Sequence, residues 1–273
     1  MNDLYNNIQW VIQRNLTSEN VFEELKSACE KIGVGYIEVE IVPFTSELPP
    51  FDRTKHSIFY GSTTFSQLVY KDPTINAGLF LSPQTFSIEN YFKEWGERML
   101  NYGAFVTSFS EITKRSFPLD KLFFIRPDDD SKSFAGEVKR FDEIETWYRN
   151  LQATENSQLT AESKIIVSDP FHIKSEWRLW IVEGKVIAAS KYRENFKLKK
   201  ERGCPTAVSE FAEARCKEYV PHDVFVMDIG LCGDEYYIIE CGCMNSAGFY
   251  AADIACIVDK VTAYFAKKSV NPS

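Results

Sequence analysis

Val224-Phe-Val-Met-Asp228-Ile-Gly-Leu-Cys-Gly-Asp-Glu-Tyr-Tyr-Ile-Ile-Glu240-Cys-Gly-Cys-Met-Asn245 decides how the chain is read. Two apolar runs of strand length flank a glycine-containing turn, which predicts a β-hairpin. Each run delivers one carboxylate, Asp228 and Glu240, and the amide Asn245 follows the second. Placing an unpaired charge among apolar side chains is costly. A hard divalent cation such as magnesium, which prefers carboxylate and carbonyl oxygen, is one reason for them to be there. Edge-strand residues turned to solvent are the other.

Working back from the hairpin, a second one precedes it. Glu176-Trp-Arg178-Leu-Trp-Ile-Val182 leads through Glu183-Gly184 into Lys185-Val-Ile-Ala-Ala-Ser-Lys191-Tyr-Arg193. Strand side chains alternate, so Glu176, Arg178 and Trp180 are expected on one face, and Lys191 and Arg193 on one face of the return strand. Glu176 and Arg178 also fit a plain surface ion pair. Pro205 to Tyr219 has helical periodicity, and Ala252 to Lys267 predicts a closing helix. Further upstream, the strand Lys121–Ile125 runs into the polar loop Arg126-Pro-Asp-Asp-Asp-Ser-Lys132-Ser-Phe-Ala-Gly136. A helix over Phe141–Leu151 and a strand at Lys164–Val167 follow. Lys132 among three aspartates also fits a solvated loop.

The first 115 residues or so have another texture. Gln9–Gln13, a helix from about Glu19 to Ile32 with Gly33 at its end, Gly35–Val42 and Ser57–Tyr60 alternate as strand, helix, strand and strand, the pattern of a parallel sheet. Gly61-Ser-Thr-Thr64 is either a turn with a helix N-cap or a phosphate-type turn. Ser87 opens a helix with Ile88, Tyr91, Phe92, Trp95 and Met99 on one face, and Ala104–Thr107 is expected as one more strand of this region.

The chain of 273 residues has ample core, 21 Phe and 13 Tyr among it, and a formal net charge of −8. That balance argues against a nucleic-acid or anionic-membrane binder and leaves room for a local basic cleft. Seven cysteines, an odd number, with no secretory signal and no apolar run near the ~20 residues of a membrane span, fit free thiols in a reducing cytoplasm.

Cations Arg126, Lys132, Arg178, Lys191 and Arg193 and acids Asp169, Glu176, Asp228 and Glu240 all fall in or at the ends of strands, or in the loop between them. A polyphosphate with magnesium calls for this mixture. In order along the chain, Phe124-Ile-Arg126-Pro, the loop to Gly136, Ile165-Ile-Val-Ser-Asp169, Glu176-Trp-Arg178 to Tyr192-Arg193, and Asp228, Glu240 and Asn245 resemble the ATP-grasp superfamily. Arg-Pro-Asp-Asp-Asp-Ser-Lys, Glu-Trp-Arg-Leu-Trp and Asn-Ser-Ala-Gly-Phe-Tyr are similar to its prokaryotic and viral clade marked by two arginines and one lysine. The N-terminal Trp-Val-Ile-Gln-Arg-Asn and Tyr-Gly-Ser-Thr resemble that clade's pre-ATP-grasp domain.

The resemblance implies an α/β plus α+β protein: a pre-ATP-grasp α/β domain over 1–117, a small ATP-grasp lobe over 118–170 and a C-terminal lobe over 171–273. It implies ATP and Mg2+ as cofactors. Arg126, Lys132 and Lys191 would contact phosphates, Val167 and Ser168 would offer backbone hydrogen bonds to the adenine, and Asp169 or Glu176 would meet the ribose. Arg178 and Arg193 would be catalytic, neutralising the transferring phosphoryl group, and Asp228, Glu240 and Asn245 would hold the metal. The implied reaction is ligation of a small-molecule, amino-acid or peptide carboxylate to an amine acceptor through an acyl phosphate, releasing ADP and phosphate. The family pattern Glu-x-Asn is broken here, because Gly242 stands at the Asn position. A nucleotide-binding sensor without turnover and an ATP-grasp phosphotransferase are the alternatives.

Overall fold

The computed structural model describes residues 5–42, 47–129, 133–154 and 159–270. β1 (Ile8–Gln13) is buried at all six positions, as befits a central strand covered on both faces. It pairs in parallel with β2 (Gly35–Val39) on one side and β3 (His56–Tyr60) on the other. Between the first two runs α1 (Glu19–Ile32), which ends on Gly33 at φ 74°, a left-handed conformation that glycine adopts without strain. After β3, the Ser62 hydroxyl accepts the Phe65 N–H at 3.2 Å and starts α2 (Thr63–Tyr70), so Gly61-Ser-Thr-Thr64 is a turn with an N-cap. The apolar run Gly78–Leu81 forms no strand. A 3-10 turn, Asn76–Gly78, leads into it and packs so closely that a Cβ on Gly78 would lie 1.9 Å from the Ser57 carbonyl oxygen. α3 (Ile88–Trp95) follows its N-cap Ser87.

The second sheet contains β4 (Phe105–Ser108), β5 (Leu122–Pro127), β6 (Glu137–Arg140) and β7 (Lys164–Ser168) in the order β4-β7-β5-β6. Short α4 (Phe109–Ile112) and long α5 (Phe141–Ala153) cover one face, enclosing Phe109, Ile112, Phe123, Ile125, Phe141, Ile144, Ile165 and Val167. β4 pairs antiparallel with β7 along its whole length, Phe105 opposite Val167 and Ser108 opposite Lys164. The small sheet therefore begins near residue 105, upstream of the expected boundary at 117. Alternation identifies a strand but carries no information on which sheet it joins.

The third sheet is antiparallel, in the order β10-β9-β8-β11-β12, built from β8 (Ile173–Val182), β9 (Lys185–Glu194), β10 (Lys197–Arg202), β11 (Val224–Cys232) and β12 (Glu235–Gly242). Glu183 (φ 48°) and Gly184 (φ 73°) form the tight β8–β9 turn, whose positive φ at both positions matches the twist of a two-residue hairpin. α6 (Thr206–Cys216) and α7 (Ile254–Val270) complete the fold. Trp180, Val182, Val224 and Val226 on one face of this sheet share a core with Trp10, Ile12 and Phe22 of the N-terminal layer and with Ile257, Val258 and Val261 of α7. Trp177, Leu179, Ile181, Phe225 and Met227 on the other face pack on Tyr91 and Trp95 of α3 and Val208 and Ala212 of α6. Among the described residues no helix is long and apolar enough to cross a membrane, and all seven cysteines are free.

Candidate active site

The small sheet and the C-terminal sheet face each other across a cleft of about 330 Å³. Asp228 of β11 lies in register with Arg178 of β8 on one side and Glu240 of β12 on the other, so three charged side chains are set side by side by backbone pairing alone. Arg178 grips Asp228 with two parallel hydrogen bonds, Nε to Oδ1 and Nη2 to Oδ2, both at 2.8 Å. Arg126 reaches over from β5 to pair with Glu240 and donates to the Ile239 carbonyl at 3.3 Å. Arg193 of β9 lies 3.3 Å from Glu176 of β8. Three guanidiniums thus meet three carboxylates in one cleft. Asp228 is 2% exposed and Glu176 4%, which only paired charges tolerate.

Two tyrosines not anticipated from sequence complete the wall. The Tyr192 hydroxyl donates to Glu176 at 2.7 Å and lies 3.3 Å from Asp228 Oδ2. Tyr250, at φ 54°, stacks its ring on Tyr192 with centroids 4.8 Å apart, and Arg178 lies 5.2 Å from the Tyr250 ring. Burial pushes the Tyr192 hydroxyl well above its ordinary pKa, and Asp228 and Glu176 push the same way, so it remains a neutral donor. Burial likewise raises Glu176 against the pull of Tyr192 and Arg193, and raises Asp228 against the pull of Arg178.

A β-bulge explains why Tyr192 is here and Lys191 is not. Glu176 pairs with Arg193 but Trp177 pairs with Lys191, leaving Tyr192 as the extra residue of β9. Strict alternation across 191–193 is broken. Lys191 turns to the opposite side, 6.0 Å from the Trp177 ring, and is tied to Glu194 and Glu201. Its expected place in the phosphate site is corrected accordingly.

Asn245 is corrected more firmly. It is fully buried, donates to the Phe59 carbonyl at 2.6 Å and the Gly78 carbonyl at 2.8 Å, and accepts the Phe80 N–H at 2.7 Å. Its own carbonyl accepts the Gly61 N–H at 2.9 Å. The amide is a staple between β3, the loop after it and the segment after β12, and it presents no oxygen to the cleft. Val167 belongs to the core of the small lobe, between Phe105 and Ile125. Asp169 is largely exposed and lies 3.4 Å from Lys121, outside the cleft. Ser168 sits opposite Phe124, its hydroxyl buried without a hydrogen-bond partner. Lys132 lies outside the described residues.

The charged cleft continues into an apolar cavity of about 190 Å³. Leu100, Val138, Phe171 and Phe196 line it, and it shares Phe124, Ile173 and Ile239 with the cleft. Asp228 and Glu240 are direct cross-strand neighbours with oxygen donors only. Magnesium is commonly held by one or two carboxylates together with substrate phosphates. That donor set fits the ion. Among the described residues no three acidic, His or Cys side chains cluster as a closed protein site.

The family described as ATP-grasp domain, R-two-K clade family 3, matches residues 62–261. No curated protein sequence matches the chain. Among solved structures, a RimK domain ATP-grasp protein from Sphaerobacter thermophilus is similar at TM-score 0.58 and 10% identity, covering 96% of this chain and 100% of that one. A RiPP-associated ATP-grasp ligase from Chryseobacterium gregarium, in complex with ADP and a leader and core peptide, gives 0.58 and 14% over 96% and 97%. D-alanine–D-alanine ligase from Bacillus anthracis gives 0.55 and 11% over 96% and 99%.

Proposed function

Since the chain belongs to the ATP-grasp domain family, R-two-K clade family 3, and has the ATP-grasp fold, we propose that it is an ATP-dependent ligase joining a carboxylate to an amine, with ATP and Mg2+ bound in the cleft. The observation that carries this reading is the set of three arginines and three carboxylates where the two lobes meet, opening onto an apolar cavity. Phosphates belong among the arginines. The base would lie against Phe124, Phe171 and Phe196. Glu176, which lines both spaces beside Arg193, would meet the ribose.

Asp228 and Glu240 would hold the magnesium, which supplies charge neutralisation across the phosphate oxygens when bound. Arg126, Arg178 and Arg193 would turn from their carboxylates to the phosphates and stabilise the negative charge of the transferring group. Tyr192 keeps Glu176 and Asp228 fixed as the arginines exchange partners. In the reaction, a substrate carboxylate oxygen bonds to the γ-phosphorus as the bond to the β,γ-bridging oxygen breaks, giving an acyl phosphate and ADP. The amine nitrogen then bonds to the acyl carbon, phosphate leaves and the nitrogen loses a proton. The two-arginine, one-lysine assignment of the clade fits Arg126 or Arg178 with Arg193, and Lys132. Free thiols throughout fit a cytoplasmic enzyme.

The test is Mg-dependent release of ADP and phosphate that requires both a carboxylate and an amine. AMP as the sole nucleotide product refutes it. A second reading, a nucleotide-binding module without turnover, is favoured by one observation: Gly242 offers no side chain, and Asn245 is committed elsewhere. It predicts stabilisation by ATP with no ADP from any substrate mixture.

A further inference from the structure

A second cavity, about 290 Å³, opens beside the charged cleft, and Asp129 lines both. Its volume is at the small end of the range for small-molecule sites, too small for a folded partner. The floor is Leu81, Pro83 and Phe86, in the stretch between β3 and α3. One wall is α2, which presents Gln67 and Tyr70, with Lys71 as its C-cap, and the opposite wall is the segment after β12. The Asn245 staple fixes that second wall to β3 and to the loop that leads into the floor, so the cavity is held open by buried hydrogen bonds.

Its chemistry differs from that of the cleft. The lining is mainly carbon, and Lys71 makes no ion pair among the described residues. A carboxylate, Asp129, stands at the opening toward the proposed phosphate site. An occupant would therefore have an apolar body, an anionic group at the α2 side and a cationic group toward the cleft. We propose that this cavity binds the amine substrate, and that the substrate is an α-amino acid with an apolar side chain: side chain against Leu81, Pro83 and Phe86, carboxylate toward Lys71, ammonium toward Asp129. This rests on the ligase reading for the word substrate, though the binding itself does not require turnover.

The experiment is calorimetric titration of the whole chain, with Mg2+ and the non-hydrolysable analogue AMP-PNP present, by phenylalanine, leucine, methionine, glycine and aspartate. The apolar three bind saturably, and glycine and aspartate bind at least about tenfold more weakly, the usual worth of filling an apolar subsite. Tyr70→Ala and Gln67→Trp, both at exposed helix positions, weaken phenylalanine about tenfold and leave AMP-PNP affinity unchanged. Lys71→Gln weakens phenylalanine and leaves its carboxamide unaffected. Glycine or aspartate binding as tightly as leucine overturns the proposal, as does phenylalanine affinity indifferent to Tyr70→Ala and Gln67→Trp. Carboxamide binding equal to that of the free amino acid overturns the carboxylate assignment. Apolar binding without ADP from ATP in any mixture removes the ligase reading alone. ADP release with polar amines only removes the cavity assignment alone.

Discussion

Two cavities meet at Asp129 and are built in opposite ways. In the cleft, each of Arg126, Arg178 and Arg193 has a carboxylate within reach, and the tyrosine between them is hydrogen-bonded as well. In the neighbouring cavity the walls are apolar, and its lysine has no ion pair among the described residues. The difference separates two tasks. A phosphate site must carry dense charge before its ligand arrives, and it stays folded by letting those charges neutralise one another. A recognition pocket needs shape, which comes from hydrogen bonds hidden behind it rather than from groups facing into it.

Four substitutions test that division. Asp228→Asn strikes hardest, because it removes the carboxylate that organises the cleft and leaves Arg178 without its buried counter-charge. Mg-dependent ADP formation should fall by on the order of a hundredfold to a thousandfold, and the melting temperature should drop as well. Undiminished turnover would remove Asp228 from the machinery. Asn245→Ala comes next. It strands the Phe80 N–H and the Phe59 and Gly78 carbonyls and should destabilise by about 3 kcal/mol or more in chemical denaturation. Surviving folded protein should keep its Mg2+ requirement. A large shift in the Mg2+ dependence at unchanged stability would instead return the amide to the metal. Tyr192→Phe should cost about 1–2 kcal/mol of stability by leaving Glu176 short of a donor, with nucleotide affinity reduced less than turnover. Lys191→Gln should be the mildest, under about 1 kcal/mol and under about twofold in turnover, because a partly exposed ion pair contributes little. A tenfold loss of ATP affinity there would put Lys191 back among the phosphate ligands.

The sequence made the hairpins of the C-terminal sheet legible, and with them Asp228, Glu240 and Arg178, because apolar alternation and turn chemistry are local. What depended on distant partners was not legible. Whether Ala104–Thr107 joined the first sheet or the second turned on pairing with β7, sixty residues or so away. The side of β9 on which Lys191 emerges turned on a single inserted residue, and no propensity marks a bulge at Tyr192. β6 was missed because it is four residues long, and β10 because its side chains are all exposed, so no apolar alternation marks it. Asn245 was misassigned for a different reason. An amide that follows a metal-type strand is chemically suited both to an ion and to three backbone groups, and only the position of the loop around Gly78 decides between them.

Consider finally the indole of Trp10. It donates to the Thr262 hydroxyl at 2.9 Å, joining residues 252 positions apart. The layer around β1 is closed by α7, so its core cannot form while α7 is still unsynthesised. During translation the early strands wait, exposed, for a helix made long after them. A ribosome stalled midway along the chain therefore carries an unsealed apolar surface. Chaperone dependence during synthesis should therefore exceed that of a chain whose domains close in order.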